Sequence, residues 1–328
     1  MQRRTLGFLT GAMLVAVATI AALAVGPANL LSLSGPGTRP NAPGTGGDGG
    51  APPHVFAIEK PTWHTGDSWT YSADASADGR PGGAIATGTL TRTVVSMDAS
   101  TVNVSVEGSF RSHWSLAPTD PQAAGSIMLN YAIGFRDATI GGYTWYRASD
   151  LATLKEVRTI TFKGTFGTEA DVYNATYTAS VETTFDPALD VWSFPLESNS
   201  SWTATSNASV HAVARWSIDA GAQPWVFSKD VNFTRVVRLS LISGASEDVV
   251  TPAGTFPSIP IWTGSPHVGA LATSRDPGLA DGLEEDAPIP RDHVAAAWFS
   301  ETAKNVVMLT YDTGDAHLNL SLTDYHLG

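Results

Sequence analysis

The sequence predicts an all-β fold: a large curved antiparallel sheet, half-barrel or sandwich-like, with two similar halves as one arrangement of it, preceded by one N-terminal transmembrane or signal helix. Three observations carry this. Beyond residue 58, apolar and polar side chains alternate with period two in stretch after stretch. Turn residues punctuate the stretches, at Asp98-Ala99-Ser100, Thr251-Pro252-Ala253-Gly254 and Thr313-Gly314. Outside the N-terminus, no run of ten or more residues shows helical periodicity.

Residues 1–33 form a membrane anchor or signal peptide. Arg3 and Arg4 precede an uncharged run whose apolar heart, residues 6–25, is 20 residues long. A cleaved signal has an apolar region of about 7–15 residues, and a spanning helix needs about 20, so length favours a retained anchor. Ala22-Leu23-Ala24 also offers a cleavage site. In either case the arginines stay in the cytoplasm and the rest of the chain lies outside it, tethered to the membrane or, after cleavage, secreted. Residues 34–57 are a linker. Gly and Pro dominate its first twenty positions, which carry no large aliphatic or aromatic residue and so cannot bury enough surface to fold. Residues 58–328 form the extracytoplasmic β-rich domain.

Within that domain, Val102, Val104 and Val106 face one way and Asn103 and Ser105 the other. Ser149-Asp150-Leu151 is placed to cap a short helical turn before a strand resumes at Glu156. Alternation runs through Tyr173, Ala175, Tyr177, Ala179 and Val181, then through Ala208, Val210, Ala212, Ala214 and Trp216. It continues through Phe233, Arg235, Val237, Leu239 and Leu241. The hairpin that follows is the centre of the fold. Pro252 sets φ for a turn, and Gly254 supplies a positive φ at no steric cost. Pro257 and Pro260 make the next strand an edge or bulged one, because proline cannot donate to a ladder. Residues 61–70 and 194–203 echo each other as turn-rich segments ending in Trp-Thr, at Trp69 and Trp202.

Composition bounds the chemistry. The chain has 328 residues, is 43% hydrophobic and 15% charged, and carries a net charge of -12. No basic cluster suits nucleic acid. The absence of cysteine excludes disulfides and thiolate chemistry. Asp312-Thr313-Gly314 matches an aspartic-protease triplet, but that chemistry needs two, and a turn explains the one present. The histidines show no metal-ligand spacing, and neither a nucleophile elbow nor a phosphate loop occurs. The acidic run from Asp281 to Asp286 lacks the alternation of a calcium loop and reads as a solvated loop. No catalytic residue, metal or cofactor is expected. Six glycosylation sequons stand at Asn103, Asn174, Asn199, Asn207, Asn232 and Asn319.

WHTGDSWTY from Trp63, YRASDLATLK from Tyr146, VTPAGTF from Val250 and AWFSETAKNVVMLTYD from Ala297 resemble uncharacterised exported proteins of archaea and bacteria. These share a similar proline-alanine-glycine hairpin, followed by a tryptophan strand. More remotely, residues 60–328 resemble the lipoprotein-carrier half-barrel. That resemblance implies a curved antiparallel sheet with an apolar hollow, and no catalytic residue. The helix lid of the carriers has no counterpart in this sequence.

Two functions follow as expectations. One is an extracytoplasmic module that binds a lipid or other apolar ligand. The alternative is a non-catalytic envelope structural or interaction module with a filled interior. The 10 tryptophans bear on both. Trp69, Tyr143, Trp145, Trp202 and Trp298 are expected to turn to the concave side and line one apolar region, as core or as pocket. The membrane is the one partner the sequence implies, through the N-terminal segment.

Overall fold

The computed structural model describes residues 56–79, 82–114, 132–167, 172–219, 224–264, 294–312 and 316–328. The N-terminal segment, nearly all of the linker, the acidic run at 281–286 and the turn at Thr313-Gly314 lie outside the described residues. In chain order the strands are β1 (Ala57–Ile58), β2 (Ser68–Gly79), β3 (Gly82–Met97), β4 (Thr101–Trp114), β5 (Ala132–Arg147), β6 (Thr153–Gly167) and β7 (Val172–Leu189). There follow β8 (Leu196–Glu197), β9 (Ser201–Asp219), β10 (Trp225–Ser243), β11 (Glu247–Thr251), β12 (Gly254–Gly264), β13 (Val294–Ser300), β14 (Asn305–Asp312) and β15 (Ala316–His326).

Thirteen strands form one antiparallel sheet in the order β10-β9-β7-β6-β5-β4-β3-β2-β15-β14-β13-β12-β11. Pairing of β10 with β12, from Ser240↔Gly264 to Ser243↔Ile261, closes all of it but β11 into a ring of twelve. The sheet is therefore a closed barrel, where the sequence led us to expect an open half-barrel or a sandwich. The echoing segments open β2 and β9, six places apart in the ring. The two-residue strands that precede them, β1 and β8, pair with each other.

The expectation that β12 is an edge or bulged strand is overturned, since β12 is paired on both sides and its ladders run without a register shift. Its prolines fall where no donor is missed. The Pro260 carbonyl accepts from Gly244 N–H, so its missing N–H would face the break between β10 and β11. Pro257 points towards β13 one residue before that ladder begins at Ser258. The segment at 148–150 is a turn and not a helical cap. Leu151 has φ 61°, which reverses the chain, and Arg147 holds Asp150 across the bend.

Side-chain parity gives the barrel its character. Inward positions carry Ala73, Leu90, Val104, Ile140, Ile160, Ala179, Ala208 and Leu239, all buried. Outward positions carry Thr and Ser on most strands, as at Thr87, Thr89 and Thr91 of β3 or Thr203, Thr205 and Ser209 of β9. A membrane-spanning barrel needs an apolar band outside. This one is apolar inside and hydroxyl-rich outside, the arrangement that water selects.

A round ring of twelve strands would leave a lumen. The inner wall is nevertheless rich in alanines, and Ala73, Ala138, Ala175 and Ala208 are buried, so their methyls are covered from water. Aromatic rings help by lying along the wall. A Cβ on Gly88 would meet the Phe110 ring at 2.6 Å. At the end where β2 begins and β3 finishes, Trp192 and Phe194 pack on Phe299 at 5.2 and 5.4 Å between ring centroids. Trp63 packs on Trp69 at 5.4 Å.

Candidate functional site

The five aromatics do not share one surface. Trp69 is fully buried inside, and its Nε1–H donates to the Ala303 carbonyl at 2.7 Å. Trp202 is half-buried on the inward parity of Ala204 and Ala208. Trp298 is half-buried, and its Nε1–H donates to Glu247 in an exposed bond. Tyr143 and Trp145 point outward; Tyr143 is 45% exposed. They do share a face, with ring centroids 5.8 Å apart, and Lys155 lies over Trp145. The inward positions of β5 belong instead to Ile140, Thr144 and Tyr146. Parity placed the pair together, but not on which side, because both alternating sets of β5 contain aromatics.

The hairpin at Pro252 and Gly254 is present, but one of its strands, β11, stands outside the ring of twelve, so it is not the centre of the fold that the sequence suggested. Thr251 pairs with Gly254, and Gly254 has φ 139°, a backbone that glycine adopts freely. A Cβ there would meet only the Phe256 ring, at 3.8 Å or more, so the need for glycine is conformational. Ala253 N–H donates to the Leu322 carbonyl, tying the turn at Pro252 to β15. Of the sequon residues, Asn174, Asn199, Asn207, Asn232 and Asn319 are exposed, and Asn103 is half-buried on an outward position.

The interior contains charge that sequence reasoning did not single out. Arg92, on the inward face of β3, donates to the Tyr146 hydroxyl and lies 3.5 Å from Asn305 Oδ1. Burial works against its charge, yet Tyr146, Tyr71 and Glu156 around it outweigh that and raise its pKa. Tyr71 donates to the Val306 carbonyl at 2.9 Å, and burial pushes its phenol far up. Arg158 donates to the Tyr143 carbonyl and the Thr144 hydroxyl and stands 3.9 Å from Glu156. Burial lowers its pKa. This network is enclosed by protein and ties β2, β3, β5, β6 and β14 together at the closed end.

One stretch of the inner wall is different. Val181 of β7, Ala212 and Ala214 of β9, and Val231 of β10 are only half-buried, although they occupy inward positions; Phe233 is 40% exposed. Register joins them: Val181 pairs with Ala212, and Ala212 with Val231. The cause is topological. Before Ser240, β10 pairs with β9 alone, so among the described residues the other edge of 225–239 has no partner strand. Among the described residues, the ring is closed at one end of β10 and open along the rest. Two cations sit on the same inward parity, Lys229 and Arg235, both half-buried. The signal for Arg235 was in the sequence: a charge at an apolar position of an alternating strand.

Among the described residues, no group of three or more His, Asp or Glu side chains is placed to hold a metal ion. No protein-family model, no curated protein and no solved structure matches the chain.

Proposed function

We propose that this protein is a non-enzymatic, extracytoplasmic binding module for a lipid or other apolar ligand, tethered to the membrane by its N-terminal segment. The observation that carries it is the half-open inner face of β7, β9 and β10 in a barrel whose other described inner positions are mostly buried. Apolar side chains facing inward but not covered are the surface such a ligand would complete, since removing them from water is favourable. The sequence resemblance to exported proteins and, remotely, to the lipoprotein carriers points the same way. The second reading, an envelope module with a filled interior, is favoured by the burial of the remaining inner wall.

Native mass spectrometry of the full chain, purified under mild extraction, separates the two. A co-purifying lipid released on unfolding supports the binding module. Protein free of lipid that also fails to take up a fluorescent apolar probe leaves the filled-interior reading standing and removes this one.

A further inference from the structure

We propose that the open inner face receives a single-chain amphiphile with an anionic head, a long-chain carboxylate, and that Arg235 is the residue that holds the head. This deepens the apolar-ligand reading and rests on it.

The starting point is the Nε of Arg235. Arg235 occupies an inward position of β10 between Phe233 and Val237 and pairs in register with Ala208. Its Nε is buried and makes no hydrogen bond. Guanidinium does not lose its proton in proteins, so it cannot escape desolvation by becoming neutral. It needs an anion or several acceptors. Burial lowers its pKa. The inward glutamate of the described barrel, Glu156, lies beside Arg158 at 3.9 Å. Asp230, the nearest acid along β10, points outward to His211 at 3.0 Å. The inner face of β10 is thus cationic, with Lys229 as the second charge, and no acidic side chain among the described residues is paired with it.

The surroundings say what kind of anion fits. From Arg235, the uncovered strip runs along Phe233 and Val231 with Ala212 and Ala214 beside them. Alanine methyls leave a shallow track with a wall of larger apolar side chains, which suits one alkyl chain lying lengthwise. A carboxylate at its end would take paired N–H···O bonds from the guanidinium fork. Tail and head then meet complementary surfaces in one pose.

The test uses the purified full chain, cis-parinaric acid as probe and its methyl ester as the uncharged counterpart, with binding read by fluorescence. We expect the acid to bind at one per chain and the ester roughly tenfold or more weakly, the loss of a charged hydrogen-bonding partner. Arg235→Met should weaken the acid by about the same factor and leave the ester unchanged, and Arg235→Lys should restore part of the loss. Ala214→Trp, which fills the track, should weaken both. Melting curves of each variant separate lost binding from lost folding. Equal affinity for acid and ester, or an acid affinity that depends on Lys229→Met and not on Arg235→Met, overturns the assignment while the apolar-ligand reading survives. Failure of both probes to bind the unaltered chain overturns both.

Discussion

Trp69 provides the sharpest check on the packing of the closed end. Its indole is fully buried, stacks at 5.4 Å on Trp63, and donates from Nε1 to the Ala303 carbonyl at 2.7 Å. Trp63 makes the parallel bond to the next carbonyl, Lys304, at 2.8 Å. Two indoles thus pin consecutive carbonyls of the β13–β14 turn. Trp69→Phe keeps most of the ring but removes the donor, leaving a buried acceptor unsatisfied at about 1–3 kcal/mol. The smaller ring forfeits roughly a further 1 kcal/mol of apolar burial. Trp69→Ala should cost roughly 3–5 kcal/mol. Trp63→Phe should cost less, since its bond is only partly buried. The double variant should depart from additivity by about 0.5–1.5 kcal/mol, because the rings touch. Trp145→Phe, on the outward face, should stay within about 0.5 kcal/mol. Urea unfolding followed by far-ultraviolet circular dichroism measures all of these, and constant m-values show that the same surface is being exposed. If Trp69→Phe cost no more than Trp145→Phe, the indole–carbonyl bonds would not be what holds that turn.

Gly254→Val should destabilise by roughly 1–3 kcal/mol, because φ 139° is poor for a β-branched residue, and Pro252→Ala should cost less, acting mainly on the unfolded chain; equal effects in the same assay would remove the conformational account. Alkaline titration reports on the buried phenols. Burial raises Tyr71 and Tyr177 and pushes Tyr311 up to about 12. An unfolded tyrosine ionises near pH 10, so their contribution to stability is complete below about pH 10 and is lost as pH rises from there through about 12. Of the eight tyrosines, these three should remain un-ionised in near-ultraviolet absorbance until the barrel unfolds, and smooth titration of all eight before unfolding would contradict their burial.

Much of the fold was legible in the chain because period-two alternation is a local property. Val102, Val104 and Val106 on β4, or Val237, Leu239 and Leu241 on β10, declare their shared face in sequence and are buried as a set. The hairpin at Pro252 and Gly254 was legible for the same reason, since its backbone conformation is decided within four residues. The candidate site was barely legible. Arg235 stood in the right alternating set, but a charge at an apolar position has meaning only when its neighbours across the sheet are known. For Tyr143 and Trp145, parity put the rings together and left inside and outside open.

What the sequence alone determined is the strand content, the faces and the turns, because each depends on φ, ψ and side-chain polarity over a few residues. What only the tertiary structure decided is closure and its incompleteness. The last four residues of β10 meet β12 across the break that Pro260 accommodates, while among the described residues 225–239 have no second partner strand. Such pairings, β10 with β12 from Ser240↔Gly264 and β2 with β15 from Ala77↔Ala316, leave no local pattern. They follow from the accumulated twist and stagger of every strand between them, and these set both where the ring shuts and which inner face stays open.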